Sequence, residues 1–398
     1  MAITIVTSPP ADSCLNDDIW VTASSTNAGT TNFKFVFDII VGGTTVSRSK
    51  VFPNPSDTYG YFNTAPIIRN YITNYFEPSG SSILVESNDK WAVSYQLQIR
   101  EDLNGSIAVL PDASASYSGK NFYYPLYADL YSSGSVTLNN VYNNALSNYT
   151  DDFLTERDLA NAQNKFGNKF FISYYRYEGL GETAYVRTLD SAGNVVASHN
   201  ASISLSGSFS MFNLSASAIN TWAGSTLITE NTYAYEFYIT NGVGNSRVLR
   251  IYHDCSKNGG NTVHFLNRLG GYDSFFFGLV NRNSVSNEKQ FYRKADWQRT
   301  SGAMRTYDAY NKYNETKIAF SISQNNKISL ESDWVNQIDY AWLGQLVNSS
   351  SVYLDVQNMY IPLYITTDNH EYKLLNVDKV FNLKIEAEIP KTINSQFR

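Results

Sequence analysis

The 398-residue chain has two cysteines, Cys14 and Cys255. So low a count excludes a disulfide framework, and both are expected as free thiols in a protein made in a reducing cytosol. Charge is sparse as well: 17% of residues are charged, and the net charge is −6. That balance leaves no electrostatic footprint for nucleic acid. No run approaches the roughly 20 apolar residues of a membrane-spanning helix, so no membrane span is expected. The N-terminal "MAITIVTSPPADSCLND" has no basic segment of the kind that opens a secretory signal. Asn148-Tyr-Thr, Asn213-Leu-Ser and Asn314-Glu-Thr match the glycosylation acceptor pattern. In an Asn/Ser/Thr-rich chain with no other secretory signal, such matches arise by chance. Also missing are CxxC, HExxH, EF-hand, GxxxxGK[ST] and GxSxG patterns, and any sustained heptad repeat. No metal, no cofactor and no catalytic residue is therefore expected.

Aromatic residues are abundant: 15% of the chain, with 30 Tyr and 22 Phe. Such residues favour pleated, half-buried strands. A hydrophobic fraction of 43% suffices for sizeable cores, and the length predicts two to four domains at roughly 100–200 residues each. In "NFKFVFDIIV", Phe33, Phe35, Phe37 and Ile39 alternate as on a half-buried strand. "VGGTTV" then reads as a hairpin turn. In "APIIRNYITNYF", residues 65–76, apolar positions recur at three and four, Pro66 suits a first turn, and Asn63 or Thr64 a cap. This predicts a short amphipathic helix.

A similar order returns later. "KFFISYYRY" alternates like the first arm, and "SMFNLSASAIN" echoes "GYFNTAPIIRN", with Phe62-Asn63 matching Phe212-Asn213 and Asn70 matching Asn220. Two readings stand: a duplicated β-sandwich, or two sandwiches alike only in composition. The expected organisation is a β-sandwich module at 1–105, a Ser/Asn/Tyr-rich insertion or linker at 106–165, a second β-sandwich at 166–260, and a β-rich C-terminal module at 261–398. The segment "TDDFLTERDLANAQNKF" is read as holding a short helix. In the last module "SDWVNQIDYAWLGQLV", residues 332–347, is the strongest helix, with Trp334, Ile338, Trp342 and Leu346 at i+4 spacing and Ser332 as cap. The fold class is mainly β, several Ig-like β-sandwich modules with a few short helices.

Few residues carry chemistry. The histidines are His199, His253, His264 and His370. His253 and Cys255 share a strand face while Asp254 does not, which permits a Cys/His pair; ordinary strand residues account for them better. His264 adds only a loose third group. Carboxylates pair at Asp17/Asp18, Asp151/Asp152 and Glu386/Glu388. The last two share a face as a glycosidase pair would, though the solvent face of a terminal strand explains them more simply. The stretch "HFLNRLGGYDSFFF" poses the sharpest choice. "LGG" reads as a tight turn. Phe275, Phe276, Phe277 and Leu279 supply apolar surface on both faces, and Arg268 and Asp273 are placed to clamp the turn as an ion pair. The structural reading accounts for every residue; a catalytic one lacks a second activated group.

That stretch, the later "SDWVNQIDYAWLGQLVNSSSVYLD" and "IPLYITTDNHEYKLLNVDKVFNLKIEAEIPKTINSQFR", and the N-terminal "FKFVFDIIVGG" and "RSKVFPNPSDTYGYFNTAPIIRNYITNYF" together resemble virion structural proteins of tailed phages that infect Bacteroidetes, the crAss-like phages included. Residues 106–165 carry no part of the resemblance. It implies a virion component, made in the host bacterial cytoplasm, that is tail- or tail-hub-associated and not an enzyme. Its expected partners are other virion proteins (tail, hub or portal-proximal) and further copies of itself. Two alternatives remain: a head fibre or capsid decoration protein, and a glycan-binding or glycan-cleaving receptor protein.

Overall fold

The structure, a computed structural model, describes residues 3–9, 12–15, 18–72, 76, 78, 82–87, 92–120, 152–176, 181–205, 209–242, 244–253, 260–279, 281–293, 297–300, 303–306, 317–356, 359–367, 381–390 and 393–397. It is mainly β, with helices at Ala65–Ile68, Ala216–Ala223 and Gln337–Val347 among the described residues. None of the described helices is long and apolar enough to cross a membrane. The chain divides into two compact units. One comprises Met1–Cys255 with His264–Phe275, the other Ser256–Val263 with Phe276–Arg398.

The first unit holds two β-sandwiches built to one plan. In the first sandwich, Ile3–Thr7, Trp20–Ser25 and Gly60–Asn63 form an antiparallel sheet. The second sheet runs in the order Asp12–Cys14, Ala113–Lys120, Ala92–Leu103, Phe33–Val41, Thr44–Val51, with the short strand Ser106–Ile107 added beside Ala92–Leu103. In the second sandwich, Asp152–Phe153, Phe171–Tyr175 and Phe209–Asn213 take the places of the first three strands. The order Ala162–Asn164, Leu249–His253, Ala234–Thr240, Glu182–Leu189, Val195–Ile203 repeats the other sheet. Even the strand directions agree. Asp12–Cys14 runs parallel to Ala113–Lys120, as Ala162–Asn164 does to Leu249–His253, and the other pairs are antiparallel.

Local chemistry explains these elements. Phe33, Phe35, Phe37 and Ile39 are all buried, and they share one core with Ile3, Val21, Ala23, Leu97 and Ile99 from both sheets. Burying each such side chain stabilises the fold by roughly 1.5–3 kcal/mol. The hairpin after them turns on Gly42 and Gly43, with φ of 57° and 80°, the conformation that the tightest hairpins demand at both positions. The Phe-Asn pairs mark the same corner in both sandwiches. Asn63 Oδ1 accepts from the Ala65 N–H, and Asn213 Oδ1 from the Ser215 N–H, both at 3.1 Å. On the reverse face of its strand, Asp38 is fully buried and held by Arg48 (Nε at 2.6 Å) and Arg100 (Nε at 3.0 Å).

Several expectations need correction. The described parts of 106–165 are not an insertion or linker. Ala113–Lys120 pairs along its whole length with Ala92–Ile99, so the first sandwich runs past 105. Asp152–Phe153 and Ala162–Asn164 are strands of the second, which therefore starts before 166, and no helix lies between them. Residues 121–151 lie outside the described ones. The strand Leu84–Ser87, which stands in the sequence of the first sandwich, adds instead to the outer edge of Phe209–Asn213 in the second. The helix at 65–76 stops early: Ala65–Ile68 continues as one tighter turn, Arg69–Tyr71, and Ile72 is extended.

In the second unit the strands run in the order Arg282–Arg293, Lys317–Glu331, Lys384–Glu388, Met359–Ile365, Val352–Val356, all antiparallel. Ile393–Phe397 pairs with Ser321–Gln324 of the second strand in that order. The helix expected at 332–347 begins later, at Gln337. Ser332 cannot cap it, because its backbone N–H donates to Leu383 O and its Oγ accepts from Leu383 N–H, at 2.8 and 2.7 Å. Val335 bridges to Phe381, so this segment is extended. The cap is Asn336, whose Oδ1 accepts from the Asp339 N–H at 2.7 Å. Trp334 and Ile338 are 60% and 59% exposed; the buried face is Tyr340, Trp342, Leu343 and Leu346.

Gly60 gives a direct test of the first core. A Cβ there would lie 2.5 Å from the buried Phe35 ring, whereas one on Gly29 would meet nothing within 4 Å. Gly60→Ala should destabilise the fold by about 1–3 kcal/mol by overpacking, and Gly29→Ala far less. Thermal melts of the two variants against wild type measure the difference.

Candidate functional site

The stretch 264–277 forms a hairpin. Its first strand, Asn261–Leu266, and its second, Tyr272–Phe277, are buried nearly throughout. The turn needs its two glycines for different reasons. Gly270 has a φ of 83°, which costs a residue with a Cβ about 1 kcal/mol or more. Gly271 is a close approach: a Cβ would sit 2.7 Å from Ser173 Cβ and 3.0 Å from Leu154 Cβ.

Asn267 organises the turn. Its Oδ1 accepts from the N–H groups of Leu269 and Gly271, at 3.0 and 3.1 Å. Its Nδ2 donates to Leu154 O and to Asp273 Oδ2, the latter at 2.9 Å. Asp273 Oδ2 also accepts from Thr155 Oγ1 at 2.8 Å. Arg268, expected to clamp the turn with Asp273, is paired with Glu156. Arg268 points outward to Glu156, while Asp273 points inward and is 1% exposed. Asn267 and Thr155 thus both donate to one oxygen of the inward carboxylate, and the more exposed Arg268 pairs at the surface.

The second strand docks against Phe171–Tyr175, with Ile172 opposite Asp273. Two serines complete the seam. The Phe171 N–H donates to Ser274 Oγ at 2.6 Å, and Ser274 Oγ donates back to Phe171 O at 3.0 Å. The Tyr272 N–H donates to Ser173 Oγ at 2.8 Å. His264 Nδ1 lies 2.8 Å from Ser274 Oγ. A serine hydroxyl has one proton. With that proton on Phe171 O, the His264 contact is filled by His264 donating from Nδ1. Both side chains are fully buried. The His264 ring packs against Phe76 and Phe171, with centroids 5.3 and 4.8 Å away. Arg157 donates to Ser274 O at 3.0 Å and lies over the Phe170 ring. The arrangement is a sealed polar seam that joins strands.

Other candidates are scattered. His253 ends the strand Leu249–His253, beside the rings of Phe166 and Tyr235. Burial lowers its pKa. Asp254 and Cys255, like His370, lie outside the described residues, and so does the side chain of Cys14. His199 packs edge-on against Trp222. Glu386 and Glu388 share the outward face of Lys384–Glu388, and Glu388 is paired with Lys327 at 2.8 Å. Of the acidic pairs, Asp18 accepts from Asn63 Nδ2 at 2.7 Å. Asp152 is gripped by Arg247, Nε to Oδ2 at 2.6 Å. Asp17 and Asp151 lie outside the described residues. Among the described residues no three His, Cys, Asp or Glu side chains group as metal ligands would. Ser173 and Ser274 were not anticipated; the signal for them is a single serine set in a run of buried aromatics, "FISYY" and "YDSFFF".

No protein-family model matches the chain, and no curated protein matches it in sequence. Three of the solved structures that are similar in part illustrate the likeness. The fibronectin domains FN1–FN3 of chicken CNTN1 give a TM-score of 0.16 at 11% identity, over 62% of this chain and 68% of that one. The calcium-binding domain CBD12 of CALX1.1 gives 0.21 at 11% identity, over 60% and 79%. A β-glycosidase from Bacteroides vulgatus gives 0.17 at 8% identity, over 63% of this chain and 24% of that one. Likeness at these TM-scores carries no argument about activity, and the fold rests on the strand order described above.

Two expectations follow. Ser274→Ala leaves the Phe171 N–H and O buried without that partner and should cost about 1–3 kcal/mol; Phe276→Ala should cost about 3–5 kcal/mol. Both are read as loss of stability in chemical denaturation. Arg247→Ala leaves the Asp152 carboxylate, 3% exposed, without its cation, for about 3–5 kcal/mol. Burial already raises the Asp152 pKa, against Arg247 and the N–H groups of Phe153 and Arg247, which lower it. Without Arg247 it rises further. A raised carboxyl destabilises the fold as pH climbs through its folded pKa and ceases to do so below its unfolded value. The melting-temperature gap between wild type and Arg247→Ala should therefore shrink as pH falls from 7 towards 4. A gap that is constant or widening over that range would refute the assignment.

Proposed function

We propose that the chain is a structural component of a tailed-phage virion, associated with the tail or its hub, and that it works through contacts with neighbouring virion proteins and with other copies of itself. The observation that carries this reading is the strand Arg282–Arg293. It stands at the end of the sheet order and is exposed at all 12 residues. A sheet edge of that length is an aggregation hazard for a protein that acts alone, because its N–H and C=O groups are a template for another strand. For an assembly protein the same edge is a docking surface. Two further features support the reading: the chemistry-bearing residues at 264–274 are enclosed and engaged in holding strands together, and both ends of the chain resemble virion proteins of Bacteroidetes phages. Acting by assembly, the chain needs no catalytic residue.

The test is a reconstruction of the purified particle together with its protein composition by mass spectrometry. The chain should be present in stoichiometric amounts and located at the tail or hub. Density at the capsid surface would replace the tail assignment with the decoration reading. Absence from purified particles would overturn the virion reading.

A further inference from the structure

We infer that the strand Arg282–Arg293 pairs antiparallel with the same strand of a second copy of this chain, in the register centred on Val285. This rests on, and deepens, the assembly reading by naming one partner. Its inner side is bonded along its whole length to Lys317–Glu331. Among the described residues no strand pairs with its outer side. Val285, Phe291 and Tyr292 are 54%, 46% and 46% exposed on it.

The charge pattern selects the occupant and the register. Within its own ladder Arg282 faces Ser329, Val285 faces Asn326 and Glu288 faces Ser323. Neither charge thus meets an opposite charge across the strands. A two-fold axis perpendicular to the sheet relates the two copies of an antiparallel pair, and the alternation of inward and outward backbone groups then requires one residue to lie opposite its own copy. One register of that kind exists for each residue of the strand. Centring on Arg282, Glu288, Lys289 or Arg293 sets like charges face to face. Centring on Phe291 sets Lys289 against Arg293. Centring on Val285 sets Arg282 opposite Glu288 twice, Asn283 opposite Asn287 twice, and the exposed valine against itself. Among the residues of this strand it is the register that opposes acid to base. Opposite charges across strands are favourable and like charges unfavourable, so the pattern favours this register and disfavours the slipped pairings that oppose like charges.

The experiment uses the full-length chain in sedimentation velocity over a concentration series, with circular dichroism to verify folding. Wild type should show a concentration-dependent dimer. Arg282→Glu alone sets acid against acid, and Glu288→Arg alone sets base against base; each should weaken dimerisation by about tenfold or more. An equimolar mixture of the two variants restores both opposite pairs in a heterodimer and should recover wild-type association within roughly threefold. Lys289→Glu, outside the pairs, should change association by less than about threefold. Three outcomes would overturn the inference: a monomer at every concentration, a dimer that neither single variant weakens, or single variants that fail to rescue each other. None of these bears on whether the chain is found in particles, so the assembly reading is judged separately.

Discussion

The backbone of one buried strand sets the terms for the rest of the first unit. All five residues of Phe171–Tyr175 are buried. A buried strand must have its N–H and C=O groups paired on both edges, since unpaired ones cost as much as lost hydrogen bonds. One edge is covered by Phe209–Asn213. On the other, the strand Asp152–Phe153 reaches only Tyr174 and Tyr175. In the first sandwich the matching strand, Ile3–Thr7, covers Thr22 to Ser25. The Leu154 N–H still donates to Ser173 O, and the shortfall falls at Phe171 and Ile172, where the hairpin strand enters, with Ile172 opposite Asp273 and Ser274 completing the bonds of Phe171. The stretch 264–274 is thus the missing half of an edge strand, supplied from later in the chain. Its inward polar residues fit that role: His264, Asn267, Asp273 and Ser274 bond backbone groups or one another, and Arg268 alone turns outward to Glu156.

The duplication was legible in part because it fixes a corner as well as a composition. Phe62 and Phe212 occupy one register position, opposite Val21 and Ile172. The asparagines after them turn the chain out of the strand by one and the same bond. The Thr64 N–H donates to Ile19 O as the Leu214 N–H does to Phe170 O. The third matched pair differs in use. Asn70 Nδ2 donates to Pro66 O, one turn back. Asn220 instead holds the chain after its helix, bonding Leu227, Ile228 and the Ile228 carbonyl. Sequence identity at that position therefore reports a helix face common to both and no shared contact.

Alternation tells which face of a strand is buried, but not which strand lies beside it. That is why the strands were largely readable and their partners were not. "SILVES" reads as a strand on its pattern, yet nothing in six residues indicates that it bonds the second sandwich. Asp152–Phe153 and Ala162–Asn164 are too short to have a period, so a polar stretch around them looked like linker. The helix at Gln337–Val347 was legible as a helix, but its start was not: "SDWVN" has a plausible cap and a plausible stripe, and a tertiary bond from Ser332 to Leu383 overrides both. The outward turn of Arg268 is a similar case. Adjacent charges suggest a pair, whereas Asp273 turns inward to Asn267 and Thr155 and Arg268 outward to Glu156.

Both units end their sheets in open strands, Thr44–Val51 and Val195–Ile203 in the first and Arg282–Arg293 in the second; the last is the longest of the three. In the first unit the buried strand Phe171–Tyr175 has neighbours on both sides, and a strand borrowed from residues 84–87 covers the far edge of Phe209–Asn213. In the second unit a 12-residue edge carries Arg282, Glu288, Lys289 and Arg293 along its length. Charges on an edge normally deter pairing with arbitrary strands. Spaced as they are, they do so selectively, since a partner that brings like charges opposite them is disfavoured. An edge of this kind can be long and exposed without being open to every strand, and the side chains that restrict it contribute nothing to the core of the unit that bears them.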